Sequence, residues 1–203
     1  MGPGATVGSD QFVYYDASNP KLCVAPDVYL RLTPRGVPIR SWKTWERGAP
    51  HVAIELVSDS DRSANDWDTK LQRYRQLGVD ELLRFDTECP SGPELRVWDR
   101  VDGALVERHV EGGRAPSLVL NLSWVVAPAD GFEVALRISV QGDGQTETLV
   151  PTRQEARAAE AEARKVEAEA RKVEAEARKA EAEARKAAEA RIRELEAELA
   201  RRR

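Results

Sequence analysis

The chain has 203 residues, 41% hydrophobic and 33% charged, with a formal net charge of -4. That length allows one or two domains, and the acidic balance excludes a uniformly basic nucleic-acid binder. The charge is uneven: from Arg153 onward there are 15 Lys/Arg against 13 Glu, while the front part carries 16 basic and 22 acidic residues.

Residues 1–9 are Gly-rich and are expected to be disordered; "MGPGATVGSD" shows neither the basic nor the apolar region of a signal peptide. "FVYY" (12–15) reads as a short strand and "DASNP" as a turn. "LCVAPDVYLRL" (22–32) reads as a strand interrupted at Pro26, which has no N–H to donate and belongs at an edge or a strand start. "TPRGVPIRSWKTWERGAP" (33–50) is expected to be a long loop, and "HVAIELV" (51–57) a strand. "SDSDRSANDW" offers several helix N-caps, and the helix that follows runs to about Leu77 and stops at Gly78. "VDELLRFD" (79–86) is a strand, "TECPSGP" a turn, and 94–110 a hairpin around Val101-Asp102-Gly103. "GFEVALRISV" (131–140) is a further strand and "GDGQ" (142–145) a turn. "SLVLNLSWVVA" is too short to span a membrane as a helix. Cys23 and Cys89 match no metal-ligand spacing and read as buried free thiols, which suits a cytoplasmic chain. The fold class expected is α+β (mixed α/β), with a domain over 1–150.

Residues 151–203 differ in kind. "AEAEARK", "VEAEARK", "VEAEARK" and "AEAEARK" follow one another from Ala159 to Lys186, a seven-residue repeat of strong helix formers. Glu167, Glu174 and Glu181 each lie four residues before an arginine, the favourable orientation. Val166, Ala170, Val173, Ala177 and Ala180 form a 4-3 seam, and Ile192, Leu195 and Leu199 continue it in a shifted register. One long helix is expected. A homo-oligomeric coiled coil through 159–199 and a solitary charged helix both stay open, because an alanine seam buries little area.

The chemistry-bearing pattern begins at Glu55. In a strand, Val52, Ile54 and Leu56 share one face, and Ala53, Glu55 and Val57 the other. A carboxylate on an apolar face needs a cation or a proton. Asp27, at the opening of a strand, can converge with it on one cation, and oxygen ligands suit Mg²⁺ or Mn²⁺. The plainer alternative is a turn role for Asp27 and an arginine partner for Glu55. Trp67, Leu71, Tyr74 and Leu77 make the inward stripe of the following helix, and Lys70 lies on it or at its edge. Such a lysine usually snorkels outward; here it can instead reach the carboxylates and steady charge on a phosphodiester.

"SDQFVYYD", "APDVYL", "RSWKTWERGAPHVAIELVSDSD", "DTKLQRYRQLGVDELLRFD" and "LVPTRQEA", in this order and spacing, resemble the Uma-two family of restriction-endonuclease-like proteins, in the PD-(D/E)xK nuclease superfamily. The resemblance covers about Asp10 to Glu155. It implies a restriction-endonuclease-like central sheet with a flanking helix, and a metal-dependent endonuclease in which carboxylate-held Mg²⁺ activates water. By match, Asp27 and Glu55 become the metal ligands and Asp27, Glu55 and Lys70 the catalytic residues. The superfamily lysine two after the acid is Val57 here, so Lys70 on the helix takes that place. Relatives carry a helical region ahead of the "SD-FVYY" strand, so an N-terminally short member is implied.

Asp10 matches an acid before the first strand and is a possible accessory acid, with capping or a turn as the alternative. Arg40 and Lys43 are candidate contacts to nucleic-acid phosphate. Trp42 and Trp45 either stack on bases or anchor their loop. His51 and His109 are isolated. Two further functions stay open beside the DNA endonuclease: an inactive nuclease-like scaffold that self-associates or binds a partner through its C-terminal helix, and a core that binds DNA without cutting it.

Overall fold

The structure, a computed structural model, describes residues 4–33, 39–57, 64–89, 91–92, 94–142 and 147–201, leaving aside the side chains of 64–66 and 198–200. The helix N-cap candidates at 58–63, most of the 142–145 turn and parts of the 33–50 and 87–93 segments lie outside the described residues. The chain divides into two compact units, Met1–Val150 and Pro151–Arg203. The class is α+β.

The first unit is built on a six-stranded sheet. In chain order its strands are β1 (Ala5–Gly8), β4 (Val28–Leu32), β6 (Val52–Leu56), β7 (Glu81–Asp86), β8 (Glu94–Val101) and β9 (Ala104–Arg108), and they lie in that spatial order. Every neighbouring pair is antiparallel except β6 and β7, which run parallel. Parallel neighbours need a crossover, and helix α2 (Ala64–Leu77) supplies it. The helix ends where Gly78 takes φ 92° and returns its N–H to the Tyr74 carbonyl at 3.1 Å.

A three-stranded sheet joins β2 (Val13–Tyr14), β3 (Cys23–Val24) and β5 (Trp42–Lys43). A four-stranded antiparallel sheet joins β10 (Arg114–Pro116), β11 (Ser123–Ala129), β12 (Phe132–Gln141) and β13 (Glu147–Leu149). The central sheet therefore has two covered faces. On one, Trp67, Tyr74 and Leu77 of α2 pack with Ala53, Leu82, Val13 and Trp42. On the other, Val52, Leu83, Phe85 and Val97 pack with Trp124 and Ala115 of the four-stranded sheet. The alternation along β6 is as its sequence predicts: Val52 and Ile54 join the second core, Ala53 the first.

Three expectations are corrected. Residues 5–8 are not disordered: they form β1, whose four residues all pair with β4. The segment 33–50 is not loop throughout, since β5 leads into the one-turn helix α1 (Thr44–Arg47). Cys23 and Cys89 are free but only half-buried. The hairpin turn is as expected, with Val101 opposite Ala104 and positive φ at Asp102 (49°) and Gly103 (77°), the two-residue turn whose twist suits a hairpin.

The second unit is helix α3 (Arg153–Arg201), 49 residues long. Its start is a capping box: the Thr152 hydroxyl accepts from the Glu155 N–H at 3.1 Å, and Glu155 Oε2 accepts from the Thr152 N–H at 2.8 Å, so two otherwise orphaned donors are satisfied. Ion pairs at 2.6 Å join Glu160 to Arg164, Glu167 to Arg171 and Glu174 to Arg178. Among the described residues no helix is long and apolar enough to cross a membrane.

Candidate active site

Asp27 and Glu55 are brought together by sheet register. Val28 pairs with Ile54 across the antiparallel β4–β6 ladder, so the next pair outward sets Asp27 opposite Glu55. Asp27 Oδ2 accepts the Leu56 N–H at 2.6 Å, which ties the segment before β4 to the end of β6.

Glu55 is 5% exposed and lies on the face covered by α2. The helix meets it with two residues four apart, hence on one side. Lys70 Nζ is 3.1 Å from Glu55 Oε2, and the Tyr74 hydroxyl donates to Oε1. The Lys70 side chain stays 32% exposed, so its stem passes along the edge of the stripe while its head turns inward. Burial pushes the Glu55 carboxyl above the usual glutamate value; the Tyr74 hydrogen bond and the Lys70 charge oppose this, and the nearby Asp27 charge adds to it. Burial and the Glu55 charge hold the Tyr74 hydroxyl well above its ordinary value, so Tyr74 is a proton donor to Glu55 at any ordinary pH.

This donor set fits a hard divalent cation. Two carboxylates stand close enough for one to raise the other's proton affinity, and a cation between them would relieve that. Mg²⁺ commonly takes one or two carboxylates and keeps the rest of its shell as water and phosphate oxygen. Among the described residues no group of three His, Cys, Asp or Glu gathers for a metal; Asp27 and Glu55 are the carboxylates that the sheet register brings together, and Lys70 competes for one oxygen of Glu55.

The other predicted residues lie apart from this pair or touch it only through backbone. Asp10 is exposed, with φ 50°, and its N–H donates to the Pro26 carbonyl at 3.2 Å; its backbone adjoins the Pro26–Asp27 segment. Arg40 is exposed. Lys43 pairs with Glu46 at 3.0 Å and lies 6.0 Å from the Trp45 ring centroid. Trp42 is an anchor, 2% exposed, its indole N–H donating to the Gly48 carbonyl at 2.8 Å. Trp45 is 47% exposed. His51 accepts the Leu32 N–H through Nδ1 at 2.9 Å, and His109 is on the surface.

Sequence reasoning missed three polar residues. Tyr74 was legible as core, and its spacing of four from Lys70 was the available signal for a shared target. Arg84 is the register partner of Glu55 on β7; its guanidinium lies 5.4 Å from the Trp67 ring centroid and 3.0 Å from Glu94. Glu81 is fully buried on the opposite face, accepting from the Trp124 indole N–H at 2.6 Å and the Leu118 N–H at 3.1 Å. Its partners are distant in sequence, so no local pattern marks it.

No curated protein and no solved structure matches the chain. A family model does match, over residues 2–139: that of Uma2, described as a putative restriction endonuclease. With the Asp27–Glu55–Lys70 arrangement inside that span, the chain belongs to the Uma2 family.

Proposed function

We propose that the chain is a metal-dependent endonuclease that hydrolyses phosphodiester bonds, with DNA as its substrate. The observation that carries this reading is the buried Glu55 carboxylate, set opposite Asp27 and met by Lys70. Asp27 and Glu55 would hold Mg²⁺ or Mn²⁺, which when bound supplies Lewis acidity toward the scissile phosphate. Lys70, whose head lies 3.1 Å from Glu55 Oε2, would place positive charge where negative charge grows on the phosphoryl oxygens. Tyr74 fixes the rotamer of Glu55 by donating to one oxygen, so the other faces Lys70. Arg40 and Lys43 supply phosphate contacts away from the centre, and Asp10 is an accessory acid beside Pro26.

The test is nicking of plasmid DNA by purified protein with Mg²⁺ or Mn²⁺, beside Glu55→Ala and Lys70→Ala. Activity in the parent that both changes abolish supports the site; cleavage that survives Glu55→Ala sinks it.

One observation favours a second reading, a non-cleaving nuclease-like scaffold that works through α3. Both carboxylate oxygens of Glu55 already accept from the protein, one from Tyr74 and one from Lys70. Calorimetric titration with Mn²⁺ separates the two readings: heat of binding lost in Glu55→Gln supports the enzyme, and no heat from the folded parent supports the scaffold.

A further inference from the structure

The two valines of the α3 seam are exposed, Val166 at 63% and Val173 at 59%. An apolar stripe on a helix is ordinarily covered by another surface. The residues beside the seam indicate what covers it. Taking Ala170 and Ala177 as one seam position and Val166, Val173 and Ala180 as the other, the flank on one side is Glu167, Glu174 and Glu181. The flank on the other side is Glu169, Glu176 and Glu183. Both flanks are acidic in every repeat, and the arginines and lysines sit further round, on the back of the helix.

That pattern discriminates between partners. Flanking positions of paired helices face one another across the seam and set partner choice and orientation. In a parallel pair of identical chains each flank meets the opposite flank of its mate; in an antiparallel pair each meets its own kind. Both arrangements set glutamate against glutamate in every repeat here. Like charges juxtaposed across an interface reject a partner as effectively as good contacts select one. The intrahelical pairs, such as Arg171–Glu167 at 2.6 Å, hold the lone helix together without a mate and are solvent-exposed, so an incoming cation can share those carboxylates.

We infer that the Val166–Ala180 seam of α3 is a docking face for a helix with an apolar stripe flanked by lysine or arginine, and not for a second copy of this chain. The partner's stripe covers the valines, and its basic flanks lie along the two glutamate rows. This proposal is independent of whether the first unit cleaves DNA.

The test uses the full chain and two synthetic helical peptides carrying the same seven-residue repeat, one with lysine and one with glutamate at both flanks. Sedimentation velocity of the full chain alone should give a monomer; a dimer overturns the proposal. The lysine-flanked peptide should bind, and lose about tenfold or more in affinity as salt rises and the Debye length falls. The glutamate-flanked peptide should not bind. Absence of binding by the lysine-flanked peptide overturns the proposal. So does undiminished binding to a full-chain variant with Val166→Ser and Val173→Ser, since attraction between rods of opposite charge does not need the seam.

Discussion

Glu55 is held between two opposing demands. Burial favours its neutral form, while Lys70 and Tyr74 favour the carboxylate, and burial wins, so its proton is held to higher pH in the folded chain than in the unfolded one. The stabilisation from that proton is therefore full below the ordinary glutamate range and is lost as pH rises through the raised value. Glu55→Gln keeps the shape and never ionises. Its unfolding free energy should gain on the parent's as pH rises across that window, measured by denaturant titration at several pH values. Glu81 is also raised by burial but is common to both proteins, so the difference isolates Glu55. A constant difference across pH would mean that Glu55 binds its proton equally in the folded and the unfolded chain. Mg²⁺ should reverse the order: ligand at a hundred times its dissociation constant stabilises by about 2.7 kcal/mol, in the parent and not in Glu55→Gln.

Glu81 is a structural counterpart on the other face. It gathers the Trp124 indole, the Leu118 amide and, at 3.4 Å, Arg108, and so ties the central sheet to the segment leading into β11. Glu81→Ala leaves buried donors unpaired, each worth about 1–3 kcal/mol. A loss of about 3 kcal/mol in unfolding free energy is expected, with divalent-ion binding at Glu55 unchanged. An unaltered melting temperature would show that water replaces the carboxylate.

At the scale of elements, legibility followed how local the determinants are. The hairpin at 94–110 was readable because its turn chemistry lies between its strands. Helix α2 was readable from its stripe and from Gly78. The short strands β1, β10 and β13 were not, because each is defined only by a partner elsewhere in the chain and carries too few residues to show a period. The same division holds within the site. The alternation along 52–56 marked Glu55 and the stripe placed Lys70, but the Arg84–Glu55 register depends on which strands become neighbours. β1 offers a test of one such hidden pairing. Gly8 lies against the buried Tyr29, and a Cβ built there would meet the ring at 2.4 Å. Tyr29 cannot yield easily, since its ring packs 5.4 Å from Trp42 and its hydroxyl donates to Gln11. Gly8→Ala should therefore cost about 1–3 kcal/mol, as overpacking does, with amide exchange faster across Ala5–Gly8. A neutral change would mean that β1 detaches from β4 without loss to the core.

At the scale of the whole molecule the two units are stabilised by different physics. The first has a core on each face of its sheet and should unfold cooperatively. The second is a helix whose described side chains are exposed from Ala156 onward, held by hydrogen bonds along its axis and by surface ion pairs worth about 0.3–0.5 kcal/mol each. Such a helix has no core to lose at once and frays progressively on heating. The sequence supplies separate reporters for the two. All five tryptophans, Trp42, Trp45, Trp67, Trp98 and Trp124, lie in the first unit. Among the described residues most of the helix lies in the second, 49 residues in α3 against 14 in α2 and 4 in α1. Heating should thus give a sigmoidal tryptophan fluorescence transition and, from the same sample, a broad and nearly linear decline of the helical circular dichroism signal. Non-coincident probes are the mark of independent units. If the two curves superimpose, α3 is stabilised by packing and not by its own ion pairs. If they separate, a mate for the seam should sharpen the circular dichroism transition and leave the fluorescence transition where it was.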